Sequence, residues 1–399
     1  MKKFLSMVLA VILMTAGSVS LAAGKEDGFY TYYVKQDGTV EISKVNAKCT
    51  DGVIPGELGG KPVTSIGNYA FEGCGKLKSI VIPDTVTEIG DYAFRDCKSV
   101  TSITIPDSVS SIGEAFINGA KLKTIDISRE HPHLVFNNGA LLSKKDMTLI
   151  KFLGVKGNDY EVIWGIRKIA SYAFEGAKVQ NVILPNTVTE IGSYAFADCT
   201  ALKSISIPGS MTAIGVDAFK GCKGLKSITI PDHVTSIGKD AFSGCDNLKE
   251  ILISENNAAL EARGNGIISK KDNKLLLVYG VRNGTYTIPE GVEELEAFMF
   301  LDSNLAGFIL PEGLKSIPMG TFINCRRMKE IVIPNSVRTI EGRAFDGCSN
   351  LTKVVIPAGV MDINVNSFDN CNRATFVVTK GSYGERYCKA LKLKYVLAE

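Results

Sequence analysis

The chain has 399 residues, of which 45% are hydrophobic and 22% are charged, and its formal net charge is +3. This near-neutral balance argues against a nucleic-acid partner, because phosphate binding needs a strongly basic surface. With only 13 prolines, the chain has enough apolar material to fold along its whole length.

The first predicted element is an export signal. MKKF is a basic start, LSMVLAVILMTAG is an apolar run, and SVSLAAG is a small-residue exit. We therefore predict a signal peptide over residues 1–22, cleaved after Ala22, and a protein that is secreted or displayed at the cell surface. The apolar run is too short to span a membrane, and no later segment approaches 18 consecutive apolar residues, so we expect no transmembrane segment.

Residues 23–60 precede the regular pattern, and we interpret them as an N-terminal cap. The segment TYYVKQDGTVEI predicts a β-hairpin with its turn at Asp37 and Gly38. A cap is expected at this end because an open sheet edge invites aggregation.

Residues 61–373 repeat a 23-residue unit, which reads LKSIVIPDTVTEIGDYAFRDC at 77–97 and LKSITIPDHVTSIGKDAFSGC at 225–245. A fixed period of this length predicts a solenoid, whose coils bury their apolar faces only against neighbouring coils. The L-x-x-I-x-I segment alternates like a strand, and the proline after it should end the strand because proline has no N–H to donate. Phenylalanines recur at one phase and should fill one slot in each coil: Phe71, Phe94, Phe196, Phe219, Phe242, Phe322, Phe345 and Phe368.

A second, longer period overlies the first, since residues 122–245 match the chain from residue 248 onward at a constant shift of 126. Each copy carries an insertion, GALLSKKDMTLIKFLG within about 128–160 and GIISKKDNKLLLVYG within about 254–286. Both insertions read as two short strands around a polar Lys-Asp turn. We therefore expect two hairpins that project from the solenoid.

Residues 374–399 depart from the repeat, and we interpret them as a C-terminal cap. The segment TFVVTKGSYGERYCKALKLKYVL reads as strand, helix and strand. Ser382 and Glu385 have the spacing of a capping box, which predicts the start of the helix.

These features closely resemble the BspA-type leucine-rich repeat proteins of bacterial surfaces, through the IPxxVxxIGxxAFxxC unit, the NGALLSKKD insertion and the GSYGERYCKAL tail. The resemblance covers residue 28 to the end. It implies a right-handed leucine-rich repeat solenoid, β-rich with a parallel sheet and short helical turns, capped at both ends. It also implies a secreted or displayed protein that adheres to host proteins or to other cells. The departures are Ala120, Ala177 and Ser303 in the cysteine slot and Trp164 in a proline slot.

Eight of the ten cysteines follow the repeat: Cys74, Cys97, Cys199, Cys222, Cys245, Cys325, Cys348 and Cys371. An even count in an exported protein first suggests disulfides, and cysteines on strands about 4.8 Å apart can bond. However, runs of three cannot pair completely, and alanine or serine also occupies this slot. We favour free thiols that act as small buried hydrophobes, with some cross-coil disulfides as the alternative and a metal column as the least favoured reading.

The three histidines do not indicate a catalytic or metal site. His131 and His133 lie in the first insertion, and the shifted positions hold Asn257 and Ala259, so we interpret both histidines as solvated loop residues that the fold does not need. A metal or catalytic pair is the alternative, and His233 is expected on plain surface. The chain contains no G-x-S-x-G, H-E-x-x-H or phosphate-loop motif. We therefore predict no catalytic residue, cofactor or metal.

A solenoid enzyme acting on polysaccharide is the main rival reading. Such chemistry needs carboxylates that converge on one site. Only Asp126, Glu250 and Glu330 are acidic among the outward strand positions, and they fall on separate coils.

The strand alternation predicts a row of outward residues, which are our candidate partner-binding residues: Val81, Thr104, Asp126, Ile183, Ser206, Thr229, Leu252, Ile309, Val332 and Val355. Most are aliphatic or carry a hydroxyl, and contiguous exposed apolar area usually marks a binding surface. A lysine row runs beside them: Lys78, Lys123, Lys203, Lys226, Lys249 and Lys329. The alternative is that β-branched residues simply favour strands and the lysines protect the ladders from aggregation.

Trp164, the only tryptophan, is a further candidate, either as an interface anchor or, as we favour, as a residue packed against the first insertion.

The predicted function is binding of a protein or glycan partner, possibly host extracellular matrix, in adhesion to the host or to other cells. The alternatives are the polysaccharide-active enzyme and a structural component of a surface layer.

Overall fold

The computed structural model describes residues 24–398 of the chain. These residues belong to two compact units, one with the residues up to Val100 and Ser111–Ala120, the other with Thr101–Ser110 and the residues from Lys121 onward. The predicted signal peptide and its cleavage after Ala22 lie outside the described residues.

The described residues form 35 strands and one helix. The first strands are β1 (Lys25–Asp27), β2 (Tyr30–Val34), β3 (Val40–Val45), β4 (Glu57–Leu58), β5 (Lys61–Ile66), β6 (Ser79–Val81), β7 (Glu88–Ile89), β8 (Ser102–Ile105), β9 (Ser111–Ile112), β10 (Thr124–Ile127), β11 (Leu134–Asn137), β12 (Ala140–Ser143), β13 (Thr148–Phe152), β14 (Asp159–Glu161), β15 (Lys168–Ile169), β16 (Asn181–Ile183), β17 (Glu190–Ile191) and β18 (Ser204–Ser206).

The remaining elements are β19 (Ala213–Ile214), β20 (Ser227–Ile230), β21 (Ser236–Ile237), β22 (Glu250–Ile253), β23 (Leu260–Arg263), β24 (Gly266–Ser269), β25 (Lys274–Val278), β26 (Thr285–Thr287), β27 (Glu294–Leu295), β28 (Gly307–Ile309), β29 (Ser316–Ile317), β30 (Glu330–Val332), β31 (Thr339–Ile340), β32 (Lys353–Ile356), β33 (Asp362–Ile363), β34 (Thr375–Val378), α1 (Tyr383–Ala390) and β35 (Tyr395–Leu397).

The first unit begins with an antiparallel meander of β1, β2 and β3. The turn between β2 and β3 contains Gly38 at φ +82°, a left-handed conformation that glycine adopts without steric cost. The hairpin predicted around Asp37 and Gly38 is therefore confirmed. β3 also pairs in parallel with β5, and β5, β7 and β9 continue this ladder. The hairpin thus joins the solenoid through its second strand.

The coils of the second unit stack through two rows of parallel strands. One row includes β14, β16 and β18, and the other includes the two-residue strands β15, β17, β19 and β21. Between the rows the repeat proline ends its strand, and its carbonyl accepts the N–H three residues on, as Pro185 does from Val188 at 3.0 Å. The predicted β-rich repeat solenoid is confirmed.

Stacked phenylalanines form the interior of the coils. Consecutive rings in the second unit lie 4.7, 5.3 and 5.5 Å apart in the run Phe174, Phe196, Phe219 and Phe242. A second run, with spacings of 5.5, 5.1 and 4.8 Å, contains Phe300, Phe322, Phe345 and Phe368. In the first unit, Phe71 and Phe94 lie 4.9 Å apart. The shared phenylalanine slot is therefore confirmed.

The two insertions are hairpins, but they do not project. β12 and β13 pair antiparallel, and β13 then pairs in parallel with β15 of the next coil. Leu142, Leu149 and Phe152 are buried in the same apolar cluster as the coils. In the second insertion, β24 and β25 pair likewise and β25 continues to β27. The expectation of projecting hairpins is wrong. Each hairpin pairs with the next coil and buries an apolar face, so it forms part of the solenoid that encloses the core.

The chain ends as strand, helix and strand, which confirms that part of the prediction. Ser382 accepts the Glu385 N–H at 3.2 Å, and the Glu385 carboxylate accepts the Gly381 N–H at 2.6 Å. This is a capping-box arrangement in which the glutamate reaches one residue before the cap. β34 and β35 pair in parallel, so the last strand extends the sheet. We retain the cap function of both terminal segments as a proposal.

Candidate functional site

The outward residues of the longer parallel strands form in-register rows within the sheets of the second unit, which we together call the sheet stripe. β16 shows the rule, since Val182 is buried and Ile183 is 52% exposed. Because the strands pair in register, their outward residues lie side by side. The predicted residues so placed are Thr104, Asp126, Ile183, Ser206, Thr229, Leu252, Ile309, Val332 and Val355.

The predicted outward orientation of the sheet stripe is confirmed. Thr104 and Val355 are half-buried and the other stripe residues are exposed. Val81 lies in the first unit, where it forms a parallel bridge with Val53, and it is 37% exposed. Val53 is itself 59% exposed, so the first unit presents its own small apolar pair.

Sequence reasoning missed four members of the stripe. Glu161 on β14 lies beside Ile183, and Thr287 on β26 lies beside Ile309. The insertions shift these positions out of the 23-residue repeat, so counting repeats does not find them. The alternation of outward and buried residues in DYEV and TYTI does indicate them. The other two, Val377 on β34 and Val396 on β35, lie beyond the last repeat.

The C-terminal end of the stripe is its most continuous apolar part. Val332, Val355, Val377 and Val396 are directly in register on β30, β32, β34 and β35. Ile309 lies on the adjacent β28 and is 55% exposed. We call these five residues the C-terminal sheet patch. Scattered exposed apolar residues need no explanation, but a contiguous group across five strands indicates a contact surface.

A row of lysines lies beside the stripe, one at the entrance of each of the strands β10, β18, β20, β22 and β30. Its exposed members in the second unit are Lys123, Lys203, Lys226, Lys249 and Lys329. Backbone bonds align them, since the Lys249 N–H donates to the Lys226 carbonyl at 2.9 Å. Within residues 24–398, no ion pair to a carboxylate is found for these five lysines. Successive coils therefore present positive charge along one side of the stripe.

Trp164 is 81% exposed and does not pack against the first insertion, so that prediction is wrong. It also does not occupy the proline slot. Ile163 does, because the Ile163 carbonyl faces the Ile166 N–H at 3.5 Å as the Pro185 carbonyl faces that of Val188. Trp164 therefore sits on the outer side of the turn after β14, and the interface-anchor reading is the one that its exposure favours.

The three acidic residues predicted to face outward each pair with a residue that is not acidic. Asp126 lies beside Thr104, Glu250 beside Ser227, and Glu330 beside Lys353. Among residues 24–398, no three side chains of His, Cys, Asp or Glu are placed to hold a metal ion.

His131 is fully buried, so its assignment to a solvated loop is wrong. Its Nε2–H donates to the Pro106 carbonyl at 3.0 Å, and its Nδ1 accepts the N–H groups of His133 and Leu134 at 3.2 and 3.1 Å. Burial lowers the pKa of His131, with the Pro106 hydrogen bond opposing the shift. Protonation at Nδ1 would also remove the acceptor for two N–H groups, so the ring is held neutral. His233 is exposed, as predicted.

The cysteines are buried free thiols, as favoured from the sequence. Seven of the eight thiols in the repeat slot also donate to a phenylalanine carbonyl of the preceding coil, for example Cys222 to Phe196 at 3.1 Å and Cys348 to Phe322 at 3.1 Å, whereas Cys74 faces the carbonyls of Val45 and Asn46. Burial raises the pKa of Cys97 to about 12, with the neighbouring Cys74 adding to the shift. The slot therefore requires a small side chain and favours one that can donate a hydrogen bond. The spacing of the cysteines in the sequence does not reveal this second preference.

No helix among residues 24–398 has the length and apolar character needed to cross a bilayer.

Comparison with known proteins identifies the family. The model of the BspA type leucine-rich repeat region matches six copies over residues 61–152, 167–264 and 281–382. A search of curated proteins finds no match.

Three solved structures are similar to this chain. A leucine-rich cell surface protein from Faecalibacterium prausnitzii is 25% identical, with a TM-score of 0.51 and 92% of this chain and 97% of that chain covered. A leucine-rich repeat protein from Bacteroides ovatus is 23% identical, with a TM-score of 0.43 and 94% and 100% covered. The pneumococcal vaccine antigen PcpA is 19% identical, with a TM-score of 0.38 and 94% and 99% covered. Since the family model matches more than half of the residues, this chain belongs to the BspA-type leucine-rich repeat family.

Proposed function

We propose that this protein binds a protein or glycan partner through the sheet stripe of its second unit, in adhesion to host matrix or to other cells. We further propose that it acts outside the cell, after removal of residues 1–22. The observation that carries the proposal is the C-terminal sheet patch, where outward valines align on four consecutive paired strands, with Val332 and Val396 exposed and Val355 and Val377 half-buried.

The chemistry of the stripe supports this role. A row of unpaired lysines beside an apolar strip suits a partner surface that combines apolar area with acidic groups. The lysines steer association, and desolvation of the valines and of Ile309 supplies affinity.

A related protein of known structure also supports a role at the cell surface. The related F. prausnitzii structure is described as a cell surface protein, which supports display at a bacterial surface for this chain.

The test is a binding assay of residues 23–399 against immobilised host matrix proteins, cell-wall glycans and the protein itself. In the triple variant Ile309→Ser, Val332→Ser and Val355→Ser, we expect binding to weaken by roughly tenfold or more, since hot-spot truncations each cost on the order of 1 to 2 kcal/mol. Unchanged binding by a folded triple variant contradicts the proposal.

The matched control is Met361→Ser with Val365→Ser. Both side chains are more exposed than the replaced patch residues, at 68% and 65%, but neither lies on the longer parallel strands. Their replacement should leave binding unchanged, and a loss equal to that of the triple variant would point to non-specific apolar adhesion.

A scaffolding role gives a different result in the same assay. Self-association without capture of any foreign partner would favour a structural surface component over an adhesin.

A further inference from the structure

The phenylalanine column of the second unit is interrupted at the second insertion, and a cavity of about 320 Å³ opens there. This volume lies at the lower end of the range of ligand pockets. Phe242 and Tyr279 on one side belong to one buried apolar cluster, and Phe300 and Leu305 on the other side belong to a second. The pocket therefore lies between two parts of the core.

The duplicated block shows which side chain is missing. Phe152 of the first insertion corresponds to Val278 of the second, and Phe174 corresponds to Phe300. The Phe152 ring stacks on Phe174 at 4.6 Å and also contacts Tyr160 at 4.5 Å. Val278 and Phe300 both line the cavity, so the second block lacks a ring where the first block has one.

Two contacts that close the first block are also absent from the second. Phe152 donates its N–H to the Ala173 carbonyl at 2.8 Å, and the Lys151 ammonium donates to the Tyr172 carbonyl at 3.0 Å. Leu277 stands in place of Lys151 and has no donor on its side chain. No hydrogen bond from Val278 to Met299, the counterpart of Ala173, is found in the described part of the chain.

Five charged residues line the cavity, and among the described residues Asp246, Arg282 and Glu296 are in ion pairs whereas none is found for Lys239 and Asp240. Arg282 lies 3.6 Å from Asp246, and Glu296 lies 2.9 Å from Lys274. Leu301, 47% exposed, forms an apolar lip. The rim carries charges of both signs, so it does not select a charged ligand, and the side chains of Phe242, Val278 and Phe300 can contact a ring.

We propose that this pocket binds the aromatic side chain of a partner polypeptide. The ring would lie against Phe300 as Phe152 lies against Phe174. A peptide also brings a backbone N–H, and the Met299 carbonyl corresponds to the acceptor that Phe152 uses in the first block. The pocket is built from the turns and the insertion rather than from the sheet stripe, so this proposal and the proposed function can fail independently.

The test uses a blocked Gly-Ser-Phe-Ser-Gly peptide, its Gly-Ser-Ala-Ser-Gly counterpart and free indole, each followed by ligand-observed NMR with residues 23–399. We expect the phenylalanine peptide to bind and the alanine peptide not to bind. Val278→Phe, which installs the residue of the first block, should weaken binding by about tenfold, the effect of losing one well-packed ring contact. Val278→Leu, which fills less of the space, gives a second reading if phenylalanine is too large to fold there.

The reciprocal variant Phe152→Val should open the first block and raise the number of peptides bound per chain from one to two. Three outcomes overturn the proposal. They are no binding of the phenylalanine peptide, binding that a folded Val278→Phe or Val278→Leu variant leaves unchanged, and binding of indole without the peptide. The last outcome assigns the pocket to free aromatic molecules.

Discussion

His131 in the first insertion and Asn257 in the second occupy matching positions and share three hydrogen bonds, to which Asn257 adds a fourth by donating to the Val234 carbonyl at 3.0 Å. Asn257 donates to the Pro231 carbonyl at 2.8 Å and accepts the N–H groups of Ala259 and Leu260 at 2.9 and 2.8 Å, as His131 does with Pro106, His133 and Leu134. The backbone carbonyl of each receives a lysine, Lys144 at 2.7 Å and Lys270 at 2.6 Å. The fold selects one donor and one acceptor here, which two different side chains can supply.

Elsewhere the two insertions have diverged. Phe152 and Lys151 of the first block correspond to Val278 and Leu277 of the second block, which line the cavity. The exposed Trp164 becomes Glu290. The duplicated blocks thus share the hydrogen bonds that hold the backbone. They differ in the side chains that fill the core beside the insertion and in the exposed side chain at position 164 or 290.

The largest expected effect is a loss of stability when a stacked phenylalanine is removed, and this loss should differ between the two blocks. Phe174→Ala should lower the free energy of unfolding by about 3 to 5 kcal/mol, because the Phe152 and Phe196 rings lose contact with it. Phe300→Ala should cost about 1 kcal/mol less, because Phe300 borders a cavity and is 6% exposed whereas Phe174 is fully buried. Urea denaturation followed by circular dichroism measures both. Equal losses would show that the cavity does not weaken the packing of Phe300.

Asn257→Ala should be the next most damaging change. It leaves the N–H groups of Ala259 and Leu260 without their acceptor and removes a donor from the carbonyls of Pro231 and Val234, at a cost of about 2 to 4 kcal/mol. His131→Ala should cost a similar amount, whereas the matched exchange His131→Asn should cost less than about 1 kcal/mol. A large loss in His131→Asn would break the equivalence of the two positions.

The cysteine slot gives a smaller effect. Cys199→Ala and Cys325→Ala each remove a thiol that donates to the carbonyl of Phe174 or Phe300, at 3.0 and 3.2 Å, and each should cost about 1 kcal/mol. The native slot already holds Ala177 one coil earlier, so both variants should fold. If alkylation with iodoacetamide at pH 8 modifies these thiols in the native protein as fast as in urea, their burial is contradicted.

The smallest effect is a pH dependence that belongs to the first insertion alone. Because the pKa of His131 is lowered in the folded state, the unfolded chain takes up this proton first as the pH falls below the ordinary histidine value of about 6.5. The free energy of unfolding should therefore fall with pH below that value and level off below the folded pKa. Above pH 7 the group has no effect on stability.

His131→Asn should abolish this part of the pH dependence, and the neighbouring Asp107, His133 and Lys144 remain in the variant as its background. Identical unfolding curves for the wild type and the variant between pH 7 and pH 5 would contradict the neutral-ring assignment.

The sequence by itself determined the repeat, the strand alternation and the strand-helix-strand end. Ile and Val at every second position, proline after the strand and phenylalanine at one phase each act locally, so a single coil contains their information. The outward row from Ile183 to Val355 followed from the same alternation. Outward residues that do not follow the 23-residue spacing, such as Glu161 and Val396, could not be found by counting repeats.

Only the tertiary structure decided what each insertion and each polar residue does. His131 looks like a loop residue in sequence, and its burial depends on the Pro106 carbonyl one coil away. The hairpins read as projections, yet β13 and β25 pair with the next coil and bury their apolar faces. The absence of a ring at Val278 becomes a pocket only because Phe300 and Phe242 stand on either side. These contacts join residues 20 or more positions apart, and no local pattern specifies them.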